Sequence, residues 1–347
     1  MKLLITTQAV DLDDPVLAFF HGWIEKFATH FEHVHVICLK MGRHSLPKNV
    51  SIHSMGKESG ESNVKYIWRF FRYVWTLRGE YDTVFVHMNP EYIVLGGWLW
   101  RLLRKPVTLW YIHPKSSWRL LIARIFAIHI VSATKKSFPL ETKKLIPIGI
   151  GVDTDFFSPG KSDSPESLTF RVMMAARIAP VKRVECVIGA VSELMRKNVP
   201  VVFDYYGGAL VRDKAYADTL YKLVPAATPP DMWHWHGDSS QTQVRDAYRT
   251  HDVHVNATDS GSFDKAVFES MACGCITMVS NTALRGIVPE QLIFDEGDSR
   301  SLAATLERVA KMTHEERSTL RTSMRMIAEK NYSLSALIRR IAEVLKS

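Results

Sequence analysis

At 347 residues, with 46% hydrophobic and 23% charged side chains, the chain is long enough for two domains with separate cores and is neither disordered nor fibrous. No run of about twenty apolar residues occurs, and the opening Met1-Lys-Leu-Leu-Ile-Thr-Thr-Gln8 is too short for a secretory leader, so neither a membrane span nor secretion is expected. A net charge of +8 asks for an anionic partner, and four cysteines (Cys38, Cys186, Cys273, Cys275) without framework spacing read as reduced thiols of a cytoplasmic protein. Cys273 and Cys275 lack a histidine at zinc-finger spacing, which argues against a shared metal.

Leu3–Thr6 predicts a short first strand, and the loop after it leads to a helix over Val16–His30, with Asp14 as cap and Pro15 in the first turn. Strand, loop and helix in that order open a doubly wound α/β domain, whose ligands bind beyond the carboxyl ends of the strands. Asp11-Leu-Asp13 has the form of a metal-binding Asp-x-Asp pair, but its place directly after the first strand favours a solvated loop or an acceptor contact. Strands over His35–Leu39, Ser51–Ser54, Thr83–His87, Val107–Ile112 and Ile130–Ala133 follow. Helices over Val64–Arg78, Tyr92–Leu103 and Trp118–Ile128 alternate with them, which predicts a parallel sheet covered on both faces. No glycine-rich dinucleotide fingerprint or Walker loop interrupts the pattern, so NAD and P-loop readings lose support. His113 stands at a strand's carboxyl end, where crevice residues belong, although a lone histidine is more often structural.

Two helices of this half are unusual. Val64–Arg78 carries aromatics all round, with Lys65, Arg69, Arg72 and Arg78 among them, and Trp98–Lys105 repeats the theme. They fit core helices whose arginines snorkel; they also fit a surface that rests on anionic lipid with Trp and Tyr at headgroup level.

Gly149 and Gly151 make a flexible corner, and Ser158-Pro-Gly-Lys-Ser-Asp-Ser-Pro-Glu-Ser167 is linker-like. A boundary is expected near Asp155–Ser167, giving a first domain over 1–157, a second over 158–330 and a C-terminal helix over 331–347. The second half restarts with a strand over Thr169–Met174. Arg177 and Lys182 follow in the loop and at the start of a helix that runs to Arg196, where two cations and the helix dipole would converge on a diphosphate. Spacing of this kind is by itself a weak signal. A strand over Val201–Tyr205 precedes Gly207-Gly208, which permits close backbone approach. Trp233-His-Trp-His-Gly237 leads to a helix capped by Ser239 or Ser240, and Val253–Asn256 is a further strand. Ile276–Val279 and Ile293–Phe294 read as strands, and Ser301–Met312, His314–Lys330 and Ser333–Lys346 as helices.

The stretch from Gly261 to Cys275 is a short polar loop, a helix over Lys265–Cys273, and a glycine stop at Gly274. A polar loop feeding a helix N-terminus offers unpaired N–H groups and a positive dipole end to an anion. Glu269 lies one turn inside, too deep to cap; it is either a solvated acid or a hydroxyl acceptor reaching into a cleft.

This stretch resembles the signature of the retaining GT-B glycosyltransferases of family 4: a Glu, seven residues, a second Glu, then Ala-Met-Ala-Cys-Gly. Glu269-Ser-Met-Ala-Cys-Gly274 matches its second half, while Gly261 stands where the first Glu belongs and the loop reads Gly-Ser-Phe-Asp-Lys265. Ala176-Arg-Ile-Ala-Pro-Val-Lys182 is similar to the family's Gly-Arg-Leu-x-x-x-Lys, and Gly151-Val-Asp153 with Phe157 resembles its crossing between domains. The resemblance implies an α/β GT-B fold of two doubly wound, Rossmann-like parallel-sheet domains facing a central cleft. A nucleotide-sugar donor would bind the C-terminal domain and a glycan or lipid-linked acceptor the N-terminal one, in cell-surface polysaccharide or glycolipid assembly. The C-terminal helix would cross back to the first domain.

By the same resemblance His113, Arg177, Lys182 and Asp264 are the expected catalytic groups of a retaining hexosyltransferase. Arg177, Lys182, Gly261, Ser262, Phe263, Asp264, Lys265 and Glu269 are expected on the donor: the cations on the diphosphate, the amides of Ser262 and Phe263 by the sugar, and Glu269 on the ribose hydroxyls. Neither metal nor cofactor is expected, because the cations meet the departing charge. The implied protein is cytoplasmic, with an anionic membrane surface as a peripheral partner. A nucleic-acid-binding protein would explain the charge, yet no recognition motif is present. A non-catalytic sugar-binding protein of the same fold fits the carboxylate missing at Gly261, and a GT-B epimerase is told apart by products formed without an acceptor.

Overall fold

In the computed structural model, β1 (Lys2–Val10), β2 (His33–Met41), β3 (Val50–Ser54), β4 (Thr83–His87), β5 (Val107–Trp110), β6 (His129–Ser132) and β7 (Leu145–Pro147) make one parallel sheet. Their order is β3-β2-β1-β4-β5-β6-β7. The structure describes residues 1–14, 16–113, 115–160, 169–224, 229, 231–260 and 263–347. These divide into two units, Met1–Ile150 with Leu334–Ser347, and Gly151–Ser333.

Successive side chains of a strand point to opposite faces, and β1 uses both. Leu3 and Ile5 face α1 (Phe19–Ala28) and the C-terminal helix, where Phe20, Trp23, Phe27, Leu337 and Ile341 are buried against them. Leu4 faces the other way, toward α2 (Asn63–Thr76), α3 (Glu91–Leu102) and α4 (Trp118–Phe126), into a core with Phe70, Val74, Trp100 and Leu120. The first helix begins at Phe19, later than the expected Val16. Asp14 does cap, but it caps a turn: its Oδ1 accepts from the amides of Val16 at 3.0 Å and Leu17 at 2.8 Å before the regular helix starts. Pro15, the expected first-turn proline, lies outside the described residues.

The second unit holds β8 (Phe170–Ala175), α5 (Val184–Arg196), β9 (Val201–Tyr206), α6 (Lys214–Leu223), β10 (Trp233–Trp235), α7 (Gln241–Thr250), β11 (Val253–Asn256), α8 (Lys265–Ala272), β12 (Ile276–Val279), α9 (Ser299–Ala310) and α10 (His314–Tyr332); α11 (Leu334–Lys346) is the C-terminal helix already placed on the first sheet. Its strands are parallel in the order β10-β9-β8-β11-β12. Most of the linker-like stretch, 161–168, lies outside the described residues. Residues 154–157 are tied down by α10, whose Arg325 donates to the carbonyls of Phe157 at 2.8 Å and Thr154 at 3.1 Å.

Chain order reverses beside the first strand of each sheet, at β1/β4 and at β8/β11. Neighbouring connections leave there for opposite faces, so a crevice opens at the carboxyl ends. The architecture is the α/β fold with two parallel sheets that the sequence implies.

Candidate functional site

At the β8/β11 reversal two loops meet, one carrying Arg177, Lys182 and Arg183, the other running from Ala257 to Asp264. Val181 and Asp259 join them through a backbone bond, amide of 259 to carbonyl of 181, at 3.1 Å. Lys182 forms an ion pair with Asp264 and donates to Thr258 Oγ1 at 3.2 Å. Asp264 Oδ2 also accepts from Asn256 Nδ2 at 3.0 Å and from the Thr258 hydroxyl at 3.1 Å, while Oδ1 accepts from the Ala266 amide at 3.3 Å. Asp264 is therefore the N-cap of α8 as well as the partner of Lys182. Burial works against its charge, but the Lys182 ammonium and these donors outweigh it and hold the carboxyl below its ordinary range. Arg183, held at φ +48 as the helix-entry residue, pairs with Asp259 at 2.7 Å.

Glu269 lies five residues beyond the cap, half-buried on α8. Burial pushes its carboxyl up to about 7, offset in part by the Lys265 ammonium, with Asp264 adding to the rise. The helix ends as expected, at Gly274 with φ +74; the amides of Gly274 and Cys275 return to the carbonyls of Met271 and Ser270 at 3.0 Å each. Beneath α8, His254 bonds Ser270 Oγ at 3.0 Å and is driven down to about 3 by burial, so it is a neutral core residue. The Phe263 ring lies 5.8 Å from that of Phe268, tilted at 57°, and Lys265 is exposed at the helix start. Gly261 and Ser262, expected on the donor, lie outside the described residues.

Arg177 is exposed on the same loop, and its guanidinium is in no ion pair with a described residue. The backbone beside it is held close: Ile178 donates to Gly208 at 2.9 Å and Ala176 to Tyr206 at 3.0 Å. Gly207 makes this approach feasible, because at φ +138 a Cβ would stand 2.0 Å from the Ala176 carbonyl oxygen.

In the first unit, His113 follows β5 and is exposed. Its amide bonds the Ser137 carbonyl and its Nδ1 accepts from the Lys115 amide, both at 3.0 Å, which fixes the ring. At the carboxyl ends of β1 and β4 a cavity of about 300 Å³ is lined by Gln8, Asn89, Glu91, Tyr92, Phe70 and Leu95 among others, with Gln8 donating to Asn89 at 3.1 Å. Asp11 and Asp13 do not form a shared metal site: Lys40 sits 2.9 Å from Asp11, and Arg43 holds Asp13 through two bonds of 2.9 and 2.6 Å.

On the aromatic helices Phe70, Val74 and Trp100 are core, whereas Trp68 is 59% and Trp98 52% exposed, with Arg72 5.4 Å over the Trp68 ring; on α4, Trp118 is exposed likewise beneath Arg119 at 5.1 Å. No helix among the described residues is long and apolar enough to cross a membrane.

The structure thus brings Arg177, Lys182, Asp264, Lys265 and Glu269 to one end of the second sheet and leaves His113 on the first. Asn256, Thr258 and the Arg183–Asp259 pair were not expected there. A polar residue ending an apolar strand, Asn256 after Val253-His-Val255, was the available signal.

Residues 160–331 match the family described as Glycosyl transferases group 1, a span just under half the chain and wholly inside the second unit. The match to that family falls in the second unit, and the chain shares the GT-B fold of solved glycosyltransferases. HepE of Anabaena, solved in complex with UDP and glucose, is 17% identical over 100% of both chains with a TM-score of 0.74. A glycosyltransferase of Rickettsia africae is 11% identical over 99% of this chain and 97% of its own, TM-score 0.74. The sucrose-phosphate synthase of Thermosynechococcus elongatus is 14% identical over 99% and 98%, TM-score 0.69. No curated protein sequence matches the chain.

Proposed function

We propose that the protein transfers a hexosyl group from a nucleotide-sugar donor to a hydroxyl of a glycan or lipid-linked acceptor, with retention and without a metal, as a family 4 enzyme. The observation that carries this is the Lys182–Asp264 pair, which ties the loop after β8 to the cap of α8 inside the family-matched segment.

In the reaction the bond from the anomeric carbon to the diphosphate oxygen breaks, and negative charge develops on the diphosphate. Lys182 has three N–H donors; Asp264 and Thr258 occupy two, and the third remains for a phosphate oxygen in a fixed direction. Arg177 supplies a second cation, and the N-terminus of α8 adds its dipole. Glu269, one turn in, accepts the ribose hydroxyls when ionised, and the amides of Ser262 and Phe263 take the sugar. His113 is assigned to the acceptor side by resemblance, and the cavity at the ends of β1 and β4 lies in the same unit.

Uridine diphosphate sugars are the first donors to test, because the HepE structures hold UDP and UDP-glucose. Turnover of a radiolabelled panel of nucleotide sugars decides the matter: transfer lost in Arg177→Ala and Lys182→Ala supports the assignment, and unchanged turnover in both ends it. A product formed without acceptor would favour the epimerase reading. The exposed Trp–Arg pairs of α2 and α4 support a peripheral position on the cytoplasmic face of an anionic membrane. Flotation with phosphatidylglycerol vesicles and not with phosphatidylcholine ones is the expected result; equal flotation removes this part.

A further inference from the structure

Trp233-His-Trp-His-Gly237 takes no part in the chemistry above. His234 lies on β10 and His236 just past its end, two residues apart, so both imidazoles leave the same face. On the neighbouring strand β9 the residue in register with His234 is Asp204, which is buried. Asp204 divides its two oxygens. Oδ1 lies 2.6 Å from His236 Nε2 and 3.2 Å from His234 Nδ1; Oδ2 is held by His251 Nε2 at 2.9 Å, with the Arg171 guanidinium at 3.6 Å. His234 Nδ1 is cut off from water and has no hydrogen bond of acceptable geometry among the described residues.

We propose that Asp204 Oδ1, His234 Nδ1 and His236 Nε2 form a site for a transition-metal dication that prefers imidazole, Zn²⁺ or Ni²⁺. The three atoms already lie within 4.8 Å of one another. Metal–ligand bonds of about 2.0–2.2 Å in a tetrahedron put ligand atoms about 3.3–3.5 Å apart, so side-chain rotation closes the set. Both imidazole side chains are 38% exposed while the His234 Nδ1 and Asp204 are buried, so an entering ion displaces the direct His236–Asp204 bond. His251 on the far oxygen orients the carboxylate, as outer partners of metal ligands do. With one carboxylate, half of it already engaged, the site is too poor in oxygen for Mg²⁺ or Ca²⁺, whereas two imidazoles suit zinc and nickel. The ion would staple β10, an edge strand paired with β9 over only three residues.

The test is a titration of the EDTA-treated whole protein, read by thermal unfolding and by the visible absorption of bound Co²⁺. One equivalent of Zn²⁺ is expected to bind saturably and, at about 100-fold excess over Kd, to raise the Tm of the second unit by about 5–10 °C, with no effect of Mg²⁺. His234→Asn and His236→Asn, both at partly exposed positions, should each keep the fold by circular dichroism and lose both the shift and the Co²⁺ spectrum. His53→Asn controls for the other imidazole pair, His35 and His53 at 3.2 Å, and should keep both. No shift with Zn²⁺ or Ni²⁺, a shift undiminished in the two β10 variants, or one lost in His53→Asn would each overturn the proposal.

Discussion

Where chain order reverses, the first sheet presents Thr7, Gln8, His87 and Asn89, and the second presents Arg177, Lys182, Asn256, Thr258 and Asp264. The first set holds no carboxylate, lysine or arginine, and its buried members are packed: His87 stacks on Phe20 at 3.9 Å and bonds Thr7 Oγ1 at 3.3 Å, and Tyr92 donates to the Thr7 carbonyl at 2.8 Å. The second is built from charge: Lys182 and its neighbour Arg183 are bridged to the opposite loop by Asp264 and Asp259, while Arg177 is in no ion pair with a described residue. Both sheets share one winding rule, so topology supplies the place and the loop residues supply the chemistry. Under the proposed function a phosphate-bearing ligand goes to the charged end, and the cavity of the first unit, walled by Phe70, Tyr92 and Leu95 with Gln8, Asn89 and Glu91 as polar groups, takes the acceptor.

The comparison breaks first at Lys182. Lys182→Ala is expected to lower transfer by about 10²- to 10³-fold, the usual cost of losing one preorganised donor at developing charge. Nucleotide affinity should fall with it, measured by calorimetry. Removing a first-sheet residue of the same rank, Gln8→Ala, should instead raise the KM for acceptor with little change in nucleotide binding. If both variants behave alike, the division of labour is wrong.

Next in size is Gly207→Ala, which drives a Cβ to 2.0 Å from the Ala176 carbonyl at a φ of +138. A loss of at least about 2 kcal/mol in urea unfolding is expected, and the loop bearing Arg177 should be displaced with it.

Glu269 sharpens the contrast through pH. Its folded value of about 7 lies above the ordinary 4.5, so between those pH values the native state holds a proton the unfolded chain has released. Stability from this group is present below about 4.5, falls as pH rises toward 7, and stays lost above. Glu269→Gln, neutral throughout, should therefore be more stable than the parent by about 1–3 kcal/mol at pH 8 and nearly equal at pH 5. It should also bind nucleotide more weakly, the mark of a carboxyl kept for a ligand at the expense of the fold. The smallest effect is expected beyond β1, where Asp13→Asn removes an exposed pair with Arg43 and should leave the urea midpoint and turnover unchanged, with or without EDTA.

Much of this was legible in the chain because it is local. The apolar run Val84–Val86 became a central strand and Ile276–Val279 a buried strand at the sheet's edge, the glycine at 274 became a left-handed helix end, and Asp264 stood next to the helix it caps. The start of α1 was misplaced because Asp14 is a good cap wherever it sits, and only packing against Leu3 and Ile5 decides that the regular turns begin at Phe19. The aromatic helix α2 was ambiguous for a related reason: Phe70 and Trp68 are alike to a sequence pattern, and burial depends on which side meets the sheet.

By itself the sequence determined two alternating strand–helix halves, the helix with Glu269 one turn inside, and the loop pair Arg177 and Lys182, since propensity, capping and spacing act over a few residues. Tertiary structure alone decided that Lys182 reaches Asp264 across 82 positions, that Asn256 and Thr258 complete the cluster, and that His234 stands opposite Asp204. Those contacts depend on strand order and register, which are set by how whole faces bury against one another and leave no mark at any single position.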